Sequence, residues 1–200
     1  MSDSLDGRTI IIEGVGKVGL ILAQKARQEG ARVIATDLYE EPRRRAEAIG
    51  CEVVLPEEMF SMKADIYAPC ALGGTINDEN LEKMSAASIQ VIAGAANNQL
   101  AEARHGNQLE EMGIVYTPDY ILNAGGVIQV ADEFNGGYQA DRVRKSVENI
   151  YNQIEKVFAI AKRDQIPTYI AADRLAEERI AAIKKTRKIF VRDPKTTIHR

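Results

Sequence analysis

Short runs of β-branched residues alternate with longer helical patterns through the first half of the chain. The six runs are TIIIE at 9–13, RVIATD at 32–37, CEVVL at 51–55, DIYAPC at 65–70, IQVIAG at 89–94 and GIVYTP at 113–118. Such alternation is typical of parallel strands joined by helical crossovers. Several runs are apolar at adjacent positions, as expected when helices cover both faces of a sheet. We therefore predict an α/β fold with a doubly wound, mostly parallel sheet.

The second half of the chain has the pattern of two C-terminal helices. Apolar residues recur at helical spacing from 143 to 161, and Pro167 ends that pattern. A last helical pattern runs from about 173 to 190, and the tail at 191–200 is polar. The sequence has no internal repeat and no low-complexity linker. We predict one domain over 1–190, which includes the C-terminal helices from about 139, followed by the polar tail.

Composition and charge exclude several functional classes. The 26 basic and 29 acidic residues are interspersed, so nothing favours nucleic acid or an acidic lipid surface as a partner. No stretch approaches the roughly 20 apolar residues that cross a bilayer, and the N-terminal residues do not resemble a secretory signal. We expect a cytoplasmic protein. Cys51 and Cys70 show no metal-type spacing, so we predict two free thiols and no metal site.

The turn after the first run carries the motif GxGxxG. Gly14 permits a tight turn, Gly16 lets the backbone approach a pyrophosphate, and Gly19 lets the helix pack closely on the strand. The helix that begins near Lys17 offers backbone N–H groups to phosphates. This strand, turn and helix context indicates dinucleotide binding in a Rossmann-type fold. On the motif alone, a purely structural turn, S-adenosylmethionine binding and flavin binding stay open.

Asp37 ends the second run and is the acidic partner that such a motif requires. A carboxylate at this place can accept hydrogen bonds from both hydroxyls of the adenosine ribose, whereas a 2′-phosphate would meet like charge. We therefore predict NAD rather than NADP as the cofactor. Arg43, Arg44 and Arg45 lie just downstream, and the sequence leaves open whether they form a solvated helix face or reach a 2′-phosphate.

Three further segments follow predicted strands, where open α/β sheets bind their ligands. They are APCALGG at 68–74, AGAANNQL at 93–100 and PDYILNAGG at 118–126. Their small side chains leave room for a flat ring, and Asn98 and Asn123 offer donors and acceptors to a carboxamide or a ribose. Together with the glycine turn, these segments predict one connected site.

The same segments resemble the cofactor domain of leucine dehydrogenase and its relatives in the Glu/Leu/Phe/Val dehydrogenase family. The resemblance covers roughly 5–190 and is carried by PCALGG, IAGAANNQL, RHG, MGIVYTPDYILNAGGVIQVADE and NIYNQIEKVFAIAKRDQIPTYIAADRLAEERI. It implies NAD-dependent oxidative deamination of an aliphatic L-amino acid to a 2-oxo acid and ammonia. The cofactor-binding residues it implies are Gly14, Val15, Gly16, Lys17, Val18, Gly19, Asp37 and Leu38 toward the adenosine and pyrophosphate, with Cys70, Ala71, Ala96, Asn98 and Asn123 toward the nicotinamide. Val127 and Val130 resemble a stretch that helps line the substrate pocket.

The resemblance also implies parts that this sequence does not contain. Similar full-length enzymes have an N-terminal substrate domain, in which a GGGK-type loop supplies a catalytic lysine and a separate aspartate handles protons. None of the three GG pairs in this sequence is followed by lysine. We find no other catalytic base, because His105 is predicted to be structural and His199 lies in the tail. We expect an isolated C-terminal coenzyme domain that binds NAD(H) and is inactive alone.

Two other interpretations stay open at this stage. The chain could be a complete NAD(H)-binding module with a sensing or assembly role, or one half of a split enzyme whose partner chain carries the lysine. Removal of a substrate domain would expose apolar surface near 125–134 and on the last helix, which predicts a homo-oligomer.

Overall fold

The computed structural model describes residues 4–134 and 136–190, with side chains through Lys185. Six parallel strands form one sheet in the order β3-β2-β1-β4-β5-β6. The strands are β1 (Thr9–Glu13), β2 (Arg32–Thr36), β3 (Glu52–Val53), β4 (Ile66–Pro69), β5 (Val91–Ile92) and β6 (Val115–Tyr116). This order confirms the Rossmann-type, doubly wound sheet. The strand order reverses between β1 and β4, which creates a crevice at the carboxyl ends of these two strands.

The helices connect the strands and then continue beyond the sheet. They are α1 (Lys17–Gln28), α2 (Glu40–Ala48), α3 (Asp78–Ala86), α4 (Ala103–Glu111), α5 (Asp119–Leu122), α6 (Gly125–Phe134), α7 (Ala140–Asp164) and α8 (Thr168–Phe190), with a 3₁₀ helix at Pro56–Ser61. Within the described part of the chain, none of the helices combines the length and the apolar character that crossing a membrane requires.

Alternate residues of each central strand pack on opposite faces of the sheet. Ile10 and Ile12 of β1 join the side chains of α1 and α2, whereas Ile11 joins those of α3 and α4. Ile11 is in register with Ile34 of β2 and Tyr67 of β4, and all three are fully buried. Burial on both faces explains why these runs are apolar at adjacent positions.

The two C-terminal helices form an antiparallel pair that docks on β6. Gln165 adopts a left-handed conformation (φ 52°) and ends α7, so the chain reverses before Pro167. Thr168 at the start of α8 donates a hydrogen bond of 2.6 Å to the carbonyl of Tyr116. A third core cluster, which includes Val157 and Ala171, joins α7 to α8.

The boundaries of several elements differ from the predicted ones. The outer strands are short: the run at 51–55 contributes only Glu52–Val53 to the sheet, and the run at 113–118 only Val115–Tyr116. The last helix begins at Thr168, directly after Pro167, rather than near 173. The segment at 118–126, the last of the three that follow predicted strands, contains the short helix α5 and the start of α6. The predicted polar tail at 191–200 lies outside the described residues.

Candidate functional site

The glycine turn lies at the crevice between β1 and β4. The N–H of Gly14 donates a hydrogen bond of 2.8 Å to the carbonyl of Thr36, at the end of β2. Gly14 has φ +86°, and a Cβ added there would lie 2.6 Å from the Cβ of Ala71. The segment after β4 therefore presses directly on the turn, and only glycine fits at position 14.

The other two glycines of the motif meet very different surroundings. A Cβ on Gly19 would lie 1.9 Å from the carbonyl oxygen of Gly14, so Gly19 permits the close contact of α1 with the turn. A Cβ on Gly16 would have no heavy atom of the described residues within 4 Å. Gly16 thus faces open space at the start of α1. Contacts with the described residues do not require a glycine at this position.

The N-terminus of α1 borders the same open space. Gly16 is its N-cap, no side chain of the described residues caps the helix, and its first turn contains no acidic residue. Gly16, Lys17 and Val18 are exposed. The first N–H groups of a helix and its dipole attract an anion, so this end of α1 can hold a phosphate group.

Asp37 is held against the turn by its own carboxylate. Its Oδ2 accepts a hydrogen bond of 3.0 Å from the N–H of Val15, and its Oδ1 accepts one of 3.0 Å from the N–H of Tyr39. The guanidinium of Arg43 donates to the main-chain carbonyl of Asp37. The neighbouring Leu38 is 72% exposed. Asp37 therefore presents a fixed negative charge beside the glycine turn.

Main-chain hydrogen bonds bring the segments after β4 and β5 together. The N–H of Ala96 donates to the carbonyl of Pro69 (2.9 Å), and the N–H of Gly74 donates to that of Asn98 (2.7 Å). Asn98 has φ 51°, a left-handed conformation that asparagine adopts more readily than most residues. The segment at 93–100 thus packs on the segment at 68–74, as the connected site requires.

The segment after β6 joins the same edge of the sheet through side chains. Asn123 donates from Nδ2 to Oδ1 of Asn97 at 2.6 Å. The buried carboxylate of Asp119 accepts a hydrogen bond of 3.1 Å from the N–H of Gln99. The Gln99 amide in turn donates to the carbonyls of Gly94 and Ala96 at 2.7 and 3.0 Å. Gln99 and Asp119 therefore stabilise the segment after β5, and the sequence reasoning missed both.

A second feature that sequence reasoning missed is a pair formed by Glu13 and Tyr67. Glu13 ends β1 directly before the turn, and its carboxylate accepts a hydrogen bond from the hydroxyl of the fully buried Tyr67. Burial raises the pKa of Glu13, an effect that the Tyr67 hydrogen bond partly offsets. Burial and the Glu13 charge raise the pKa of Tyr67. An acidic residue at the end of an otherwise apolar buried strand was the available signal.

Cys70 lies beside the turn as a neutral side chain. Its N–H donates to the carbonyl of Glu13 at 2.7 Å, and its Cβ would lie 3.4 Å from a Cβ on Gly19. Burial raises the pKa of its thiol. A raised pKa keeps the thiol protonated near neutral pH, which does not favour a nucleophilic role for Cys70.

Val127 and Val130 lie on α6, on a surface exposed to solvent. They are 74% and 51% exposed, and Phe134 on the same side of the helix is 85% exposed. The opposite side of α6, at Ile128 and Asp132, borders a groove of about 720 Å³ between α5, α6, α7 and α8. Neither valine lines that groove, and its lining residues include none of the glycine turn.

His105 is part of a helix cap. It is buried at the third position of α4, where its Nδ1 accepts a hydrogen bond of 2.9 Å from the N–H of Glu102. Its Nε2 lies 3.5 Å from Oδ1 of Asp78. The structure therefore gives His105 a capping role. Among residues 4–134 and 136–185, no three His, Cys, Asp or Glu side chains are grouped so that they could hold a metal ion.

Comparison with known proteins identifies the family. A sequence model described as Glutamate/Leucine/Phenylalanine/Valine dehydrogenase matches residues 39–188. The whole chain is 52% identical over 200 residues to the leucine dehydrogenase of Bacillus subtilis (strain 168). The chain belongs to the glutamate/leucine/phenylalanine/valine dehydrogenase family. The glycine turn precedes the part that the family model matches, but it lies within the alignment to the Bacillus relative.

Further relatives and solved structures extend the comparison. A valine dehydrogenase of Streptomyces albus is 44% identical over 188 residues, which are 92% of this chain and 50% of that protein. The crystal structure of L-tryptophan dehydrogenase from Nostoc punctiforme superimposes with a TM-score of 0.84 at 39% identity, over 90% of this chain and 54% of that one. A glutamate dehydrogenase at 20% identity shares the fold, with a TM-score of 0.68. The chain spans about half the length of the curated relatives it matches, and 54% of the Bacillus subtilis enzyme.

Proposed function

We propose that this chain is the NAD(H)-binding, C-terminal domain of a leucine-type L-amino-acid dehydrogenase. Membership of the family supports an oxidoreductase with a nicotinamide cofactor, and the coverage of about half of each relative supports a partial enzyme. The observation that carries the proposal is the open space at Gly16, which lies at the exposed N-terminus of α1 and beside the fixed carboxylate of Asp37.

The residues present fit a dinucleotide. The open position at Gly16 and the N-terminal N–H groups of α1 would hold the pyrophosphate, and Asp37 would accept hydrogen bonds from the adenosine ribose. Cys70, Ala71, Ala96, Asn98 and Asn123 would border the nicotinamide. When it is bound, the nicotinamide supplies the hydride acceptor for oxidation at the α-carbon of the substrate.

The chain's own residues bind and orient the cofactor in this proposal, but they do not move the substrate protons. Deprotonation of an amino acid and activation of water need a base with a suitable pKa. Glu13 already accepts a hydrogen bond from Tyr67, and the raised pKa of Cys70 keeps its thiol protonated, so we assign neither residue the role of that base. The sequence contains no GGGK loop. We therefore propose that the absent half of the enzyme supplies the catalytic lysine and most of the substrate pocket.

Val127 and Val130 belong to the substrate side of the proposed enzyme. With Phe134, they form an exposed apolar surface on α6, which an absent substrate domain or a second copy of the chain would cover. We propose that the isolated chain self-associates through such surfaces. Light scattering over a range of protein concentrations tests this point, because a concentration-independent monomer mass contradicts it.

The proposal includes a cytoplasmic location. Cys51 and Cys70 are both free thiols, as expected in a reducing compartment. Their reactivity toward a thiol reagent, measured after freshly lysed cells are denatured and compared with reduced and oxidised controls, reports this state. A disulfide between them in fresh lysate would contradict the proposal.

Titration of the purified chain with NADH and NADPH tests the cofactor assignment, and fluorescence enhancement of the reduced nicotinamide reports binding. NADH should bind more tightly than NADPH, and Asp37→Ala should narrow the difference. Equal affinity in the unmutated protein contradicts the role of Asp37, and no binding of either cofactor contradicts the proposal as a whole.

A second assay mixes the chain with NAD⁺ and L-leucine at alkaline pH and follows NADH formation. The expected result is no turnover, because the chain lacks the catalytic lysine. Turnover would mean that this chain contains its own base and substrate pocket. Full-length leucine dehydrogenase in the same buffer is the positive control.

A further inference from the structure

The three consecutive arginines after Asp37 have different partners. Arg44 pairs with Glu40 at 2.6 Å and Arg45 pairs with Glu41 at 3.3 Å, each one helical turn away on the exposed side of α2. Exposed pairs of this kind contribute little to stability and leave both arginines on a solvated helix face. The sequence alone did not separate these two residues from Arg43.

Arg43 is directed back toward the strand end. Its guanidinium donates to the main-chain carbonyl of Asp37, and it is partly buried. No acidic side chain of residues 4–134 and 136–185 forms an ion pair with it. A guanidinium carries five N–H donors, and the hydrogen bond to Asp37 uses one of them. Arg43 therefore retains donors and a positive charge beside the proposed ribose site.

The groups around the Asp37 side chain already stabilise a negative charge, that of its own carboxylate. Its carboxylate accepts hydrogen bonds from the N–H groups of Val15 and Tyr39, and Arg43 contacts the carbonyl of the same residue. If the carboxylate is removed, two backbone donors lose their acceptor while the guanidinium stays nearby. A phosphate group offers the acceptors and the negative charge that these donors favour.

We propose that Arg43 is a second specificity-determining residue of the adenosine site, masked by Asp37. With Asp37 present, Arg43 holds the end of β2 in place and the carboxylate repels a 2′-phosphate. With Asp37 neutralised, Arg43 binds the 2′-phosphate of NADPH together with the N–H groups of Val15 and Tyr39. This inference rests on the proposed function, since it concerns the same dinucleotide site.

The experiment compares Asp37→Ala with the double variants D37A/R43A and D37A/R44A, each titrated with NADH and NADPH. We expect the NADPH affinity of D37A/R43A to be about tenfold below that of D37A, the scale of one charge-assisted hydrogen bond. Its NADH affinity should fall clearly less than its NADPH affinity, because NADH has no 2′-phosphate for Arg43 to bind. D37A/R44A should match D37A for both cofactors, because Arg44 pairs with Glu40 on the solvated face.

A variant that keeps the charge and a salt titration test whether Arg43 acts through its positive charge. D37A/R43K keeps the positive charge and should recover part of the NADPH affinity, and the gain should decrease as salt is added. Equal NADPH affinity in D37A and D37A/R43A overturns the inference, as does an equal or larger loss in D37A/R44A. If the unmutated chain binds neither cofactor, the proposed function itself fails, which is a distinct result.

Discussion

The carboxylate of Asp37 accepts a hydrogen bond of 3.0 Å from the backbone N–H of Val15, 22 residues earlier in the chain. This contact joins the end of β2 to the glycine turn after β1. The residue proposed to bind the ribose therefore also stabilises the turn proposed to bind the pyrophosphate.

Asp37→Ala should lower the free energy of unfolding by about 1–2 kcal/mol, because it removes the acceptor of two N–H groups in a partly buried site. Urea denaturation followed by circular dichroism measures the change. Leu38→Ala is the matched control, since Leu38 is 72% exposed and should be nearly neutral. Equal stability of the two variants would contradict the structural role of Asp37.

Gly16→Ala and Gly19→Ala should separate cofactor binding from folding. A Cβ at Gly19 collides with the carbonyl of Gly14, so we expect a loss of about 3 kcal/mol of stability. A Cβ at Gly16 enters open space, so the stability cost should be at most about 1 kcal/mol.

The same methyl group at Gly16 would occupy the proposed pyrophosphate position. NADH affinity should therefore fall more than about tenfold in a Gly16→Ala protein that is still folded. Parallel urea denaturation and NADH titration test both glycines. Unchanged NADH affinity in Gly16→Ala would place the pyrophosphate elsewhere.

Glu13→Gln should become more stabilising, relative to the unmodified chain, as the pH rises. The pKa of Glu13 is raised from its ordinary 4.5 in the folded state, with burial as the main cause. The protonated form therefore contributes stability that is fully present below pH 4.5 and is lost as the pH rises through the folded pKa. Glutamine stays neutral throughout and avoids this loss.

The measurement for Glu13 is the difference in unfolding free energy between the two proteins from pH 4 to pH 8. When both proteins also carry Tyr67→Phe, this difference should vary more steeply with pH, because the Tyr67 hydrogen bond lowers the pKa of Glu13. A difference that does not vary with pH would show that Glu13 is ionised as readily in the folded chain as in the unfolded one.

His105→Ala should lower stability by about 2 kcal/mol without a change in NADH affinity. The substitution removes the acceptor for the N–H of Glu102 and leaves a cavity, because His105 is 1% exposed. His105→Gln retains an acceptor at the third helical position and should recover part of the loss. Loss of NADH binding in a stably folded His105→Gln protein would give this residue a role beyond the cap.

Local patterns in the sequence were sufficient for the sheet and the glycine turn. Runs of β-branched residues, the helical period of α1 and α7, and the spacing of the glycines at 14, 16 and 19 can each be recognised within a short stretch of sequence. The elements predicted from such patterns are present in the folded protein, because these patterns set backbone conformation and burial directly. The sequence also indicated that the segments after β4, β5 and β6 would meet, since all the strands are parallel.

Only the tertiary structure decided which side chains become partners. Glu13 and Tyr67 are 54 residues apart and meet because β1 and β4 are adjacent in the sheet. Arg43 contacts Asp37 while Arg44 contacts Glu40, although the two arginines are consecutive. Residue type limits what a side chain can bind, but its partner depends on strand order and helix orientation, which are set by the packing of the whole chain.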